Sequence, residues 1–175
     1  MLAHNAIIIT AGRVQGNIAE FDQLVATLCS QGKTPIAILG PDGDDLLGST
    51  REIERIEIIF DPNFEGDVFS SVKAGLELTE NPAYVFVLGE RHLDQKQWAR
   101  LEDSLRETDS QIHRLIPVTQ DSETHYPQLL TKNGVRSLRH LAASTSWSDS
   151  QAFWTSKIDL SIGGFGHHPD GPANP

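Results

Sequence analysis

The chain has 175 residues, 38% of them hydrophobic, and a formal net charge of −10. That length suits one domain with a core large enough to fold without staples, and the hydrophobic content excludes wholesale disorder. The acidic balance, with no cluster of Lys and Arg, excludes a protein built to bind nucleic-acid phosphates, and a single cysteine, Cys29, excludes an internal disulfide. No stretch could span a bilayer, and the first residues lack the basic start and apolar core of a signal peptide. The expectation is a cytoplasmic protein with no membrane and no nucleic-acid partner.

In chain order, the first apolar run is Ala6-Ile7-Ile8-Ile9-Thr10, closing at Ala11-Gly12. Ile18, Phe21, Val25 and Leu28 then recur at three and four residues, predicting a helix that Gly32 stops. Pro35-Ile36-Ala37-Ile38-Leu39 repeats the strand form and ends at Gly40-Pro41. The Asp42–Asp45 stretch reads as a turn with at most a short helix after it. Ile56-Glu57-Ile58-Ile59-Phe60 ends at Asp61-Pro62, and Val68, Phe69, Val72 and Leu76 predict a helix with Asp67 as its N-cap. Tyr84-Val85-Phe86-Val87-Leu88 ends at Gly89. Asp94 with Gln97 has the form of a capping box ahead of Trp98, Leu101 and Leu105. Ile112–Val118 is a weaker strand because His113 and Arg114 interrupt it, Val135, Leu138 and Leu141 predict a last helix, and Lys157–Ile162 is a weak final strand.

Short runs apolar on both faces suit buried parallel strands, and their alternation with helices predicts an α/β fold: a Rossmann-like, mostly parallel sheet covered on both faces. Residues 1–162 form the expected domain. Residues 163–175 read as a flexible Gly/Pro-rich tail unable to form a regular element, where the adjacent His167 and His168 are poor metal candidates. Cys29, beside the apolar stripe of the first helix, reads as core rather than nucleophile.

In an open parallel sheet, ligands bind beyond the carboxyl ends of the strands. Gly12-Arg13, Gly40-Pro41-Asp42, Asp61-Pro62 and Gly89-Glu90-Arg91 are therefore expected on one edge, where glycines admit a close-lying ligand and helix N-termini favour anions. The alternative is that these glycines only make tight turns and that Glu90-Arg91 is a solvated pair.

Four blocks in order carry a resemblance: Ile7-Ile8-Ile9-Thr10-Ala11-Gly12-Arg13, Ile38-Leu39-Gly40-Pro41-Asp42, the run from Asp61-Pro62 through Gly66-Asp67, Ser70-Ser71 and Gly75-Leu76, and Val85-Phe86-Val87-Leu88-Gly89-Glu90. Together they resemble the nucleotidyltransferases that attach GMP or CMP to molybdopterin cofactors, across roughly residues 6 to 141. The resemblance implies a three-layer αβα sandwich of the nucleotide-diphospho-sugar transferase kind. It also implies a nucleotide, CTP or GTP, on Ala11, Gly12, Arg13, Ser70, Ser71 and Gly75. Glu90 would then be the catalytic and metal carboxylate, Asp159 a second ligand for Mg²⁺, and His125, in His125-Tyr126-Pro127, a contact to a molybdopterin-type acceptor. For Ser70 and Ser71 a solvated first helical turn is the competing reading.

Two departures bear on activity. The family's first loop wraps the triphosphate and carries a Lys, whereas here Gly12-Arg13-Val14-Gln15-Gly16-Asn17 leads straight into the helix, and the first Lys is Lys33. The family's metal Asp is replaced by Glu90, whose extra methylene displaces the carboxylate. Loss of one preorganised donor costs roughly a hundred- to a thousand-fold in rate. The expectation is thus a divergent transferase-family protein with weak or lost catalysis. A non-catalytic nucleotide-sensing or protein-interaction module on the same fold is the alternative, and an unrelated doubly wound protein is the third reading.

Overall fold

The structure is a computed structural model that describes residues 6–11, 18–41, 43–48, 50–61, 68–118, 126–141, 155–159 and 167–170. The strands are β1 (Ala6–Ala11), β2 (Ile36–Leu39), β3 (Glu57–Phe60), β4 (Ala83–Val87), β5 (Arg114–Val118), β6 (Gln128–Leu130), β7 (Thr155–Asp159) and β8 (His167–Asp170). The helices are α1 (Ile18–Ser30), α2 (Gly43–Leu47), α3 (Val68–Leu76), α4 (Gln95–Glu107) and α5 (Lys132–Arg139), with a 3₁₀ turn at Ile53–Arg55.

The strands form one sheet in the order β3-β2-β1-β4-β6-β5-β7-β8. β3, β2, β1 and β4 are mutually parallel. β6 runs antiparallel to both β4 and β5, so β5 points the same way as β4, and β7 follows β5. The chain winds outward from β1 to β3 and then crosses back to β4 on the other side of β1. That reversal creates a topological switch point between β1 and β4.

Period-two alternation on β4 explains the two hydrophobic layers. Tyr84 and Phe86 face a core with Phe21, Val25 and Leu28 of α1 and Leu101 of α4. Ala83 and Val85 face the opposite core with Phe69, Val72 and Leu76 of α3 and Val135 and Leu138 of α5. A strand flanked by helices on both sides must be apolar on both faces, hence the unbroken hydrophobic runs. The architecture is the expected three-layer αβα sandwich. Cys29 is in the first of these cores, as expected, and is 1% exposed.

The helix ends are chemically marked. Gly32, at φ 73°, closes α1. There the Lys33 N–H reaches Leu28 O and the Gly32 N–H reaches Cys29 O, the paired bonds of a Schellman cap. The expected capping box of α4 is present: Asp94 accepts from the Gln97 N–H at 2.9 Å, and Gln97 accepts from the Asp94 N–H at 3.0 Å. α5 is capped by Thr131, which accepts from the Gly134 N–H at 3.0 Å and donates to Ile112 O at 2.7 Å. The Asp67 cap expected for α3 lies outside the described residues.

Four sequence readings are corrected. β6 was not anticipated, since three residues are too few to show a period. The final segment, read as unable to form a regular element, supplies β8, which pairs antiparallel with β7 from Thr155↔Asp170 to Ile158↔His167. Backbone ladder bonds rather than apolar side chains define that strand, so hydrophobic patterning could not reveal it. The last-but-one strand begins at Thr155, two residues before the expected start at Lys157. Arg114, read as an interruption, is a strand residue that is only 2% exposed. Burial pulls its guanidinium down to about 10, an effect that Tyr126 opposes.

Candidate functional site

The register aligns the carboxyl ends of the central strands. Ala11 is opposite Leu39, Leu39 is opposite Phe60, and Thr10 is opposite Val87. Neighbouring strands lie about 4.8 Å apart. Ala11, Gly40, Asp61 and the Leu88–Glu90 turn therefore share one rim, with the switch point between Ala11 and Leu88. The expected convergence of these strand ends on one edge holds for the described residues. Gly12 and Arg13 lie outside them.

At the β3 side of this rim, the Asp61 N–H bonds Leu39 O at 2.8 Å, which fixes the residue just beyond the strand. Its Oδ2 accepts from Ser70 Oγ at 3.3 Å and Ser71 Oγ at 3.4 Å. The Ser-Ser pair in the first turn of α3 is thus turned onto a carboxylate at the rim. Ser71 is 1% exposed, which excludes the solvated-turn reading for that residue. Gly75 is buried close to the C-terminal end of α3. Seven residues past Val68, at about 1.5 Å of rise each, put it roughly 10 Å down the helix from the rim.

At the β4 side, Val87-Leu88-Gly89-Glu90 forms a tight turn closed by the Glu90 N–H on Val87 O at 3.3 Å. Gly89 has φ 85°, a conformation that L side chains rarely adopt, so glycine is required to present Glu90 at this place. Glu90 is exposed. The turn is held from two sides. Glu20, in the first turn of α1, accepts from the Gly89 N–H with both carboxylate oxygens, at 3.1 and 3.3 Å. On the other side, the Tyr126 N–H bonds Arg91 O at 2.8 Å and the Leu93 N–H bonds Tyr126 O at 2.6 Å. His92 Nε2 lies 3.2 Å from Val87 O and 3.6 Å from Glu20 Oε1, with its ring edge-on to Phe86.

Sequence reasoning did not single out Glu20 and His92. Glu20 is far from Gly89 in sequence, and only the β1–β4 pairing brings α1 beside the β4 turn. The backbone of Asp159 ends β7 on the same side of the sheet, opposite Val118. It is three strand spacings from β4, roughly 14 Å, so strand placement alone does not set it beside Glu90. His125 lies outside the described residues.

Among the described residues, no group of three or more His, Cys, Asp or Glu side chains converges to hold a metal. Protein-held Mg²⁺ typically takes one or two carboxylates and fills its octahedron with phosphate and water. The described β4 turn offers Glu90 alone for such a role. No helix among the described residues is long and apolar enough to cross a membrane.

No family model matches this chain, and no curated protein matches it in sequence. Solved structures do match it in shape. Rv0371c from Mycobacterium tuberculosis H37Rv superposes with TM-score 0.61 at 11% identity, covering 91% of this chain and 90% of that one. The 4-diphosphocytidyl-2C-methyl-D-erythritol synthase from Anaerococcus prevotii gives TM-score 0.62 at 14% identity, covering 92% and 90%. A proposed nucleotide-diphospho-sugar transferase from Desulfovibrio desulfuricans G20 gives TM-score 0.51 at 9% identity, covering 81% and 70%. The fold is nucleotide-diphospho-sugar transferase-like. At these identities the likeness concerns the fold alone, and the chemistry must be argued from the rim.

Proposed function

We propose that this chain is a nucleotide-binding protein of the nucleotidyltransferase kind whose transfer chemistry is weak or lost. The rim supports nucleotide binding. It brings together the β1–β4 switch point beside Ala11, an N-terminal helix turn bearing Ser70 and Ser71, and a glycine turn presenting Glu90, on a fold shared with a synthase whose named product carries a diphosphocytidyl group. The resemblance to the molybdopterin guanylyl- and cytidylyltransferases narrows the ligand to CTP or GTP and the acceptor to a molybdopterin-type compound. In that reading, Arg13 is the cation nearest the phosphates and His125 faces the acceptor.

The observation that carries the loss of turnover is the length of the first loop. β1 ends at Ala11 and α1 begins at Ile18, leaving residues 12–17 to connect them. These are Gly12, Arg13, Val14, Gln15, Gly16 and Asn17, with one cation and no Lys. A triphosphate needs a cradle of N–H donors and neutralising charge. A connection that must also join strand to helix has little chain left to wrap it. The rim contributes carboxylates instead: Asp61 is already accepting from two serines, and Glu20 occupies the Gly89 N–H. Mg²⁺ held by Glu90, with or without Asp159, therefore adds little to binding.

The test is pyrophosphate release with CTP or GTP and molybdopterin, beside a transferase that carries the full loop. The expected result is no release above background. Release that requires both nucleotide and acceptor, and that Glu90→Gln abolishes, would overturn the loss of catalysis.

A further inference from the structure

A cavity of about 290 Å³ lies between α1 and α4, lined in part by Glu20, His92 and Leu93, which also hold the β4 turn. Its size is close to the lower bound of small-molecule sites, roughly 300 Å³. Phe86 of β4, Trp98 of α4 and Leu24 of α1 line it. The Trp98 and Phe86 rings stand edge to face, with centroids 5.5 Å apart and planes at 72°. The buried Trp98 indole N–H meets no acceptor among the described residues.

α1 lines this cavity with Glu20, Gln23, Leu24 and Thr27, spaced so that they share one helix face beside the core stripe of Phe21, Val25 and Leu28, and Gln31 just past its end joins them. Gln95 lines it from α4. The lining contains no Lys or Arg, and its one carboxylate is Glu20. Glu20 accepts from the Gly89 N–H, yet an ionised carboxylate has about four acceptor positions, so capacity remains for a ligand donor.

We propose that this cavity is a second ligand site, for a planar aromatic amidine or protonated amino-heterocycle. The flat ring would stack between the aromatic and leucine walls, the neutral amides would meet polar edges, and an N–H-bearing cationic end would lie on Glu20. An anion is disfavoured, because the lining holds a carboxylate and no Lys or Arg, and its one imidazole, His92, already lies 3.6 Å from Glu20 and 3.2 Å from Val87 O. Glu20 also holds the Gly89 turn, so occupancy here reaches the amide of Gly89. The proposal is independent of nucleotide binding and is read on the protein without nucleotide.

Benzamidine and its isosteric anion benzoate are the probes, followed by saturation-transfer and amide-shift NMR on the full chain. Benzamidine is expected to bind at millimolar concentration and to shift the Gly89 amide, with benzoate at least tenfold weaker. Thr27→Trp, at an exposed position that fills the cavity from outside, should weaken benzamidine binding at least tenfold while preserving the melting temperature. Glu20→Gln should weaken benzamidine severalfold and bring it closer to benzoate. Equal binding of the two probes, no binding of either, or undiminished benzamidine binding to folded Thr27→Trp would each overturn the proposal.

Discussion

Gly134→Ala tests the packing that seats α5 against the sheet. A Cβ built at Gly134 would lie 1.9 Å from the carbonyl oxygen of His113 and 2.8 Å from its carbonyl carbon. An ordinary non-bonded contact needs about 3.5 Å, so the first turn of α5 must retreat by roughly 1.5 Å. The obstruction is backbone, and no side-chain rotation relieves it. His113 O also accepts from the Thr131 N–H at 3.0 Å, while Thr131 Oγ1 caps the Gly134 N–H at 3.0 Å, so the retreat disrupts the cap as well. Overpacking costs about 1–3 kcal/mol, and a lost Thr cap about 1 kcal/mol. Alanine returns about 1 kcal/mol through helix propensity. The net is a destabilisation of about 2 kcal/mol, which for a chain of this size lowers Tm by roughly 4–8 °C. Gly48→Ala is the control, since its Cβ would meet nothing closer than Asp44 O at 3.6 Å, and it should change stability by less than about 0.5 kcal/mol. Urea denaturation of the three proteins, with unchanged m-values, is the assay. Equal midpoints for Gly134→Ala and the parent would refute the close approach of α5 to the His113 backbone.

Asp94→Ala removes the capping box of α4 and should cost about 1 kcal/mol by the same assay, with little further loss when Gln97→Ala is added, because the two bonds act as a unit. Burial pushes the Cys29 thiol up, an effect that Arg55 partly offsets, so iodoacetamide should label the native protein only as fast as it opens; prompt labelling would contradict the burial. Burial pushes the His113 imidazole down, so the folded state favours its neutral form. Its contribution to stability is present above the ordinary value of about 6.5 and is lost as pH falls through the lowered folded value. His113→Gln should therefore flatten the acid limb of a Tm-against-pH curve, and an unaltered limb would assign that loss to other groups.

Where a segment is long and periodic, local sequence determines the outcome: the stripe of α1, its Gly32 stop and the Asp94–Gln97 box can each be read from the chain. The rim was legible for a related reason, since strands that end at Gly40, Asp61 and Gly89 must bring those residues together once they pair in parallel. β6 and β8 were not legible because their pairing partners, rather than their own side chains, make them strands. The Glu20–Gly89 contact and the α1–α4 cavity depend on how two helices sit over one sheet, and neither leaves a mark at fixed spacing. Ser70 and Ser71 show an intermediate case: their motif was visible, but their turn onto Asp61 required the fold.

Hydrogen–deuterium exchange with millimolar CTP or GTP, with and without Mg²⁺, tests the central claim of a nucleotide rim most directly. The account predicts modest protection of Ala11, Gly40, Asp61, the first turn of α3 and the Gly89–Glu90 turn, little changed by Mg²⁺. Protection confined to the opposite edge of the sheet, or none at saturating nucleotide, would contradict it.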